Sequence, residues 1–365
     1  MSQDRPARRE HPYAGLPDRN FWRRVAGPWA AGAPAAVYRP KFPIGRDTRI
    51  ATAGSCFAQH VTRALRQAGC AILDAEPAPE LLPPERLPDF GYGLYSARYG
   101  NVYTARQLLH LTEAALGRRR IEEAWEEDGR WFDPMRPGIE PGGFGSAEEM
   151  RAMRRAHHAA IRGLIGQAEL LVFTLGLTEC WFNLDEGHAY PVCPGTVAGR
   201  FDPVRHGFRN LSVAEVVADL RQALALMREV NPGLRLLLTV SPVPLAATAT
   251  DQHVVVATTL SKAVLRAAAA EVAAGDPGVD YFPSFELVTS HLSGDAFGRD
   301  RRNVRPEVVD AVMACFLGAC GLADRPPPGA ALDATAAEAE DLAEAEEMRI
   351  ICDEAELDPE LAAAR

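Results

Sequence analysis

Five short apolar runs recur along the chain, and each is bounded by turn-forming residues and about as long as one β-strand. These runs lie near residues 49–53, 70–74, 169–175, 234–240 and 279–282. Between them, apolar residues recur at intervals of three and four, which is typical of amphipathic helices. The helical patterns lie near residues 57–68, 104–117, 146–166, 212–230, 254–273 and 306–320. Ser212 and Glu215 form a capping-box pattern at the start of the fourth helix, and Asn231-Pro232 ends it.

Strands that alternate with helices predict parallel crossovers and a sheet that is covered on both faces. The expected fold is therefore α/β, a three-layer flavodoxin-like sandwich around a five-stranded, mostly parallel sheet. In such sheets ligands bind at the carboxyl ends of the strands. Cys56, Thr178 and Ser241 all follow predicted strands and are expected at that edge.

The pattern predicts one domain, over residues 46–325, with different composition on either side. Residues 1–45 mix Pro, Gly, Arg and aromatic residues without a period and are interpreted as an irregular N-terminal arm. Residues 183–210 also lack a long period and are rich in Pro and Gly. A loop of this length inside a compact domain is usually functional or disordered, so a lid-like insertion over the site is expected.

The C-terminal residues 326–365 carry the whole net charge of the protein. They hold twelve acidic residues against two arginines, while the net charge of the chain is −10. The rest of the chain is neutral, which argues against a nucleic-acid groove because such a groove needs clustered Lys and Arg. A helical stripe runs through Leu342, Met348, Ile351 and Cys352. The acidic tail is therefore expected to be solvated or to dock on a protein partner.

The cysteine pattern and the apolar content indicate the compartment. Seven cysteines, an odd number, are widely spaced, which favours reduced thiols in a cytoplasm over a disulfide scaffold. The polar first residues lack a signal-peptide core, and no stretch is long enough for a membrane span. We therefore expect a cytoplasmic protein that does not contact a membrane. Neither a metal nor a cofactor is expected, because there is no paired Cys/His spacing, dinucleotide fingerprint or Walker motif.

The richest local signal is the turn Gly54-Ser55-Cys56, where an apolar strand runs directly into an amphipathic helix. A helix N-terminus offers unpaired N–H groups and a partial positive charge, which favour a nucleophile and stabilise an oxyanion. The turn therefore indicates acyl-transfer chemistry. The alternative is a structural turn in which Ser55 caps the helix and Cys56 is a small buried hydrophobe.

Gly54-Ser55-Cys56-Phe57-Ala58 resembles the signature of the bacterial GSCFA domain family, a branch of the SGNH (GDSL-type) esterase and acyltransferase superfamily. The resemblance continues in order over roughly residues 35–320. Further family-like phrases are Tyr99-Gly100-Asn101, Phe173-Thr174-Leu175-Gly176-Leu177-Thr178-Glu179, Val240-Ser241-Pro242-Val243, His253 to Leu265 with Ser261-Lys262, and Tyr281-Phe282-Pro283-Ser284-Phe285-Glu286.

The resemblance implies roles for the residues of these phrases. When Gly54-Ser55-Cys56-Phe57 is aligned without a gap to the superfamily block Gly-Asp-Ser-Leu, the resemblance implies that Cys56 is the nucleophile. A shift of one residue in this alignment makes Ser55 the nucleophile instead. Cys56 is favoured because a thiol at a helix N-terminus ionises more readily than a hydroxyl. Oxyanion or substrate contacts are expected for the following residues: Gly54, Gly100, Asn101, Gly176, Thr178, Glu179, Asp300 and Asn303.

The general base is where this chain departs from the superfamily pattern. The superfamily carries Asp-x-x-His before its last helix, whereas this chain has Asp300-Arg301-Arg302-Asn303 at that place. His253 is the best replacement, since it opens a family-like block after the fourth strand. If it does not act as a base, the pocket only binds a ligand.

These patterns together predict an esterase or acyltransferase that acts through Cys56 or Ser55. The expected substrate is an acylated saccharide or another small polar molecule. The alternative is a catalytically inactive ligand-binding module of the same fold, whose acidic tail recruits a protein partner.

Overall fold

The computed structural model describes residues 11–25 and 37–323, together with Asp353 and Leu357. The remainder of the predicted acidic tail, with its helical stripe, and much of the predicted arm lie outside the described residues. The strands are β1 (Ile50–Gly54), β2 (Trp125–Glu127), β3 (Arg130–Phe132), β4 (Leu170–Leu175), β5 (Glu179–Asn183), β6 (Ala189–Tyr190), β7 (His206–Asn210), β8 (Arg235–Val240) and β9 (Val279–Tyr281). The helices are α1 (Trp22–Val25), α2 (Phe57–Gln67), α3 (Ala105–Ala115), α4 (Ala147–Gln167), α5 (Val213–Val230), α6 (Val254–Gly275), α7 (Ser284–Thr289) and α8 (Pro306–Ala319).

A four-stranded sheet in the order β1-β4-β8-β9 forms the centre, and every pair in it is parallel. Alternate strand residues face opposite sides, so the sheet separates two apolar clusters. Residues such as Ala51 and Phe173 belong to the cluster under α3, α4, α5 and α6. Residues such as Ile50 and Val172 belong to the cluster under α2, α7 and α8. The predicted α/β fold with helices on both faces is confirmed, and so are all six predicted helices.

The predicted strand at 70–74 is not confirmed among the described residues. This segment makes a single parallel bridge, between Ile72 and Ile50. Further along β1, the loop residue Ser96 occupies the edge instead, because its amide donates to the Thr52 carbonyl at 3.3 Å and its hydroxyl accepts from the Thr52 amide at 3.0 Å. The bridge lies where flavodoxin-like order has its second strand, but the central sheet has four strands rather than five.

Residues 183–210, expected as a lid-like insertion, contribute β6 and β7 to a small antiparallel sheet with the order β6-β5-β7. A buried carboxylate, Glu123, holds this sheet in place. One of its oxygens accepts hydrogen bonds from Asn183 at 2.9 Å, His188 at 2.9 Å and Tyr190 at 2.7 Å. Burial by itself raises the pKa of Glu123, but these hydrogen bonds outweigh it and lower the pKa to about 2.

Candidate active site

Gly54 ends β1 and brings it unusually close to β4. Its φ is +143°, and a Cβ at this position would lie 2.5 Å from the Thr174 carbonyl oxygen. Only glycine fits both the backbone conformation and this approach. The next residue, Ser55, donates its amide hydrogen to the same Thr174 oxygen at 3.0 Å. The turn is therefore anchored to the carboxyl end of the neighbouring strand, where α/β sheets bind ligands.

The two candidate nucleophiles occupy this turn and are both buried, with Ser55 2% and Cys56 4% exposed. Cys56 is the N-cap residue of α2. The Ser55 hydroxyl has no hydrogen-bond partner among the described residues, and neither has the hydroxyl of Thr174. A buried polar group without a partner costs about 1–3 kcal/mol. Such a group calls for an explanation, and a catalytic role is one.

Gly176, at the end of β4, forms another wall of the turn. A Cβ at Gly176 would lie 2.9 Å from the Ser55 Cβ and 3.1 Å from Cδ1 of Tyr103, so a larger residue would displace Ser55. The carbonyl oxygen of Gly176 accepts a hydrogen bond from Nζ of Lys262 at 2.6 Å, and Lys262 is only 3% exposed. Gly176 therefore lies between the buried Lys262 side chain and Ser55.

Asn101 is held on the other side of the turn by buried hydrogen bonds. Its Oδ1 accepts from Nε2 of Gln59 at 3.3 Å and lies 2.5 Å from the Tyr95 hydroxyl. That hydroxyl also lies within donating distance, 3.1 Å, of the Ser55 carbonyl oxygen. Because Oδ1 faces two donors, the Asn101 amide has one orientation, with Nδ2 directed away from them. Nδ2 donates to Oδ2 of Asp353 at 3.0 Å.

A narrow pocket opens at this amide, and Gly100 forms part of it with a left-handed φ of +67°. Its other lining residues include Tyr95, Tyr99, Arg136, Gly138, Pro191 and Asp353. A larger groove of about 990 Å³ is lined by residues of the loop after β8 and of α6, and Lys262 is one of them. Its remaining walls are mostly apolar, while Asp300, Arg301 and Arg302 line part of it.

Thr178 and Glu179 make hydrogen bonds within the protein. The Thr178 hydroxyl donates to Oδ1 of Asn210 at 2.6 Å, and its amide donates to the Ser261 hydroxyl at 3.0 Å. The Glu179 carboxylate accepts from the Thr248 hydroxyl at 2.5 Å and from the Ala249 amide at 2.9 Å. These contacts connect β5 to the loop before α6. Both residues act structurally here, and their predicted substrate contacts stay predictions.

His253 is the N-cap residue of α6, and it is exposed. Its Nδ1 accepts from the Val255 amide at 3.2 Å. The structure does not bring its ring into hydrogen-bond contact with the Ser55 hydroxyl. Asp300 and Asn303 form a turn in which the Asp300 carboxylate accepts from the Asn303 amide at 3.0 Å. The base role of His253 and the substrate contacts of Asp300 and Asn303 stay predictions.

The sequence matches the GSCFA family over residues 49–316, which is most of the chain. The chain belongs to the GSCFA family. No curated protein matches it. The matched region contains the turn, Asn101, Gly176 and Lys262, and it ends before Asp353.

Four residues that contact the GSCFA turn or its neighbours were missed by the sequence analysis. Gln59 and Tyr95 orient Asn101, Lys262 binds Gly176, and Asp353 binds Asn101. Signals existed for two of them. Gln59 is a polar residue on the face of α2 that also buries Ala58 and Thr62, and Lys262 is one of only two lysines in the chain.

Within the described part of this GSCFA chain, no three His, Cys, Asp or Glu side chains converge as metal ligands. The same residues include no helix with the length and apolar character that crossing a membrane requires.

Proposed function

We propose that this GSCFA protein is an esterase or acyltransferase whose nucleophile lies on the turn between β1 and α2. The observation that carries the proposal is the Ser55 hydroxyl, which is buried at the carboxyl end of β1 without a partner among the described residues. Cys56 follows it at the N-terminus of α2. A cost of about 1–3 kcal/mol for the unpaired hydroxyl is understandable if the group reacts.

The proposed reaction has two stages. The nucleophile attacks the ester carbonyl, the alcohol leaves, and an acyl-enzyme forms. The oriented Nδ2 of Asn101 and the N-terminus of α2 are the proposed donors to the developing oxyanion. Water or an acceptor hydroxyl then attacks the acyl-enzyme and releases the carboxylic acid or a new ester. An acylated saccharide or another small polar molecule is the proposed substrate, and the apolar groove beside Lys262 suits its acyl part.

A covalent probe tests this function directly. We expect an activated ester to add one acyl group to the intact protein, measured by mass spectrometry, and a fluorophosphonate to add one phosphonyl group if Ser55 is the nucleophile. Ser55→Ala and Cys56→Ala distinguish the two nucleophiles, since the true nucleophile loses the adduct completely. The function is rejected if the wild-type protein forms no adduct at the turn.

The other cysteines provide an internal control for labelling by iodoacetamide at neutral pH. Burial raises the pKa of the Cys180 and Cys320 thiols to about 12 and that of Cys193 to about 11, and it also raises the pKa of Cys70 and Cys315. These thiols are protonated at neutral pH and react slowly. Cys56, at a helix N-terminus, is therefore expected to be labelled first if it is the nucleophile.

A second candidate is a ligand-binding module without catalysis. The observation that favours it is the absence, among the described residues, of any base in hydrogen-bond contact with the Ser55 hydroxyl. Asn303 also stands where the SGNH superfamily has histidine. In this case the acidic C-terminal segment recruits a protein partner. Ligand binding without adduct formation or ester turnover would favour this candidate.

A further inference from the structure

We propose that the pocket at Asn101 is a subsite for a carboxylate, and that Asp353 of the same chain competes with ligands for it. The observation is the hydrogen bond of 3.0 Å from Nδ2 of Asn101 to Oδ2 of Asp353, which joins residues 252 positions apart. The inference rests on the proposed function for the identity of the natural competitor, the carboxylic acid that ester cleavage releases.

The orientation of Asn101 determines which chemical group the pocket accepts. Oδ1 of Asn101 faces the side chains of Gln59 and Tyr95. The donor Nδ2, and not the carbonyl oxygen, is therefore directed into the pocket. An N–H donor selects an acceptor, and a hydrogen bond to a charged acceptor is stronger than one to a neutral acceptor. A carboxylate oxygen therefore suits this position better than a hydroxyl or an amine.

The walls of the pocket lie close around the Asp353 carboxylate. Gly138 has no side chain, and a Cβ there would lie 3.7 Å from Oδ1 of Asp353, in ordinary van der Waals contact. Tyr95 and Tyr99 form aromatic walls, and the buried Arg136 borders the pocket. Asp353 is half-buried in this setting.

Asp353 lies outside the part of the sequence that matches the GSCFA family. The family match ends at residue 316, so the carboxylate comes from outside the matched region. Asn101, whose Nδ2 donates a hydrogen bond to this carboxylate, lies within the match. The proposed subsite therefore lies within the GSCFA match, whereas the competing carboxylate comes from a residue beyond it.

Competition has a measurable size. The apparent dissociation constant of a ligand increases by the inverse of the fraction of molecules whose site is open. If Asp353 occupies the site about nine tenths of the time, its removal tightens ligand binding roughly tenfold. Asp353 then reduces both substrate entry and product retention.

The test uses the full chain and sodium acetate as the probe, with the dissociation constant measured by ligand-observed NMR. We expect Asp353→Ala to bind acetate roughly tenfold more tightly than the wild-type protein. Glu354→Ala, which removes the same charge from the adjacent position, is the matched control and is expected to match the wild-type protein. Gly138→Leu, added to Asp353→Ala, fills the pocket and is expected to abolish acetate binding.

Three results would overturn the proposal: equal acetate affinity in wild-type and Asp353→Ala proteins, equal tightening in Glu354→Ala, or unchanged binding when Gly138→Leu is added. Melting curves establish that each variant is folded. Probe labelling of the turn is measured separately. If acetate binding depends on Asp353 but no covalent adduct forms, the subsite is supported and the enzyme is rejected. If an adduct forms but the acetate affinities are equal, the enzyme is supported and the subsite is rejected.

Discussion

The side-chain amide of Gln59 donates a hydrogen bond to Oδ1 of Asn101 across 3.3 Å, and this contact connects helix α2 to the loop after Gly100. Gln59 also donates to the Tyr95 hydroxyl at 3.2 Å. The helix that begins at the candidate nucleophile thus also orients the candidate oxyanion donor. Two parts of the proposed chemistry are coupled by one buried side chain.

Gln59→Leu should therefore slow the reaction of the turn with a fluorophosphonate. Loss of an oxyanion donor typically costs about a hundredfold to a thousandfold in rate. We expect a smaller loss, roughly tenfold, because Tyr95 still holds Oδ1 of Asn101. Gln167→Leu, at the exposed end of α4, is the control and should react at the wild-type rate. An unchanged rate in Gln59→Leu would show that Asn101 does not need this contact.

Gly176→Ala should move Ser55, because the added Cβ would lie 2.9 Å from the Ser55 Cβ. Overpacking of this kind typically costs about 1–3 kcal/mol in the free energy of unfolding. Gly163→Ala is the matched control, since a Cβ at this exposed helical position has no neighbour within 4 Å. It should instead stabilise the protein by about 1 kcal/mol. Urea denaturation measures both, and equal effects would contradict the close packing.

His253→Asn tests the base that the sequence suggested. Asparagine is a good N-cap residue, so the substitution keeps α6 capped and removes only the imidazole. A general base typically contributes about a hundredfold to ten-thousandfold in rate. Because His253 is exposed and is not in contact with the Ser55 hydroxyl, we expect ester turnover to change by less than about twofold. A hundredfold loss with an unchanged melting temperature would make His253 the base after all.

Glu123→Gln should change how stability depends on pH. The carboxylate has a pKa of about 2 in the folded protein against an ordinary 4.5. Its depressed pKa contributes stability that is present above about pH 4.5 and is lost as the pH falls towards 2. The wild-type melting temperature should therefore fall more steeply across this window than that of the variant.

At neutral pH the same variant should be less stable. Three donors converge on one oxygen of Glu123, and Nε1 of Trp125 donates to the other at 3.2 Å. The glutamine amide nitrogen would face one of these donors and leave it unpaired, at a cost of about 1–3 kcal/mol. Glu148→Gln removes an exposed carboxylate and serves as the control. Parallel melting curves for wild-type and Glu123→Gln proteins between pH 7 and 2 would contradict the prediction.

Local periodicity predicted most of the secondary structure. Apolar residues at three-and-four spacing predicted all six helices within about two residues, and the Ser212–Glu215 capping box is present as expected. Four of the five apolar runs are strands of the central sheet. These features depend on neighbours in sequence, so a sequence pattern is sufficient to predict them.

The structure goes beyond the sequence pattern where distant residues decide the outcome. The run at 70–74 has the composition of a strand, but Ser96 takes part of the edge beside β1 that it would need. The stretch 183–210 has little periodicity, yet Glu123, about 60 residues away in sequence, organises it into an antiparallel sheet. Hydrogen bonds over such separations leave no local period.

The sequence by itself determined the family, the fold class and the turn that carries Ser55 and Cys56, because each is encoded by adjacent or regularly spaced residues. Only the tertiary structure decided what surrounds that turn. Gln59, Asn101 and Asp353 lie far apart along the chain, and packing of α2 against the loop at Gly100 brings the first two into contact. The physical reason is that buried polar groups must find partners wherever the fold places them, and those partners are chosen by three-dimensional proximity rather than by sequence spacing.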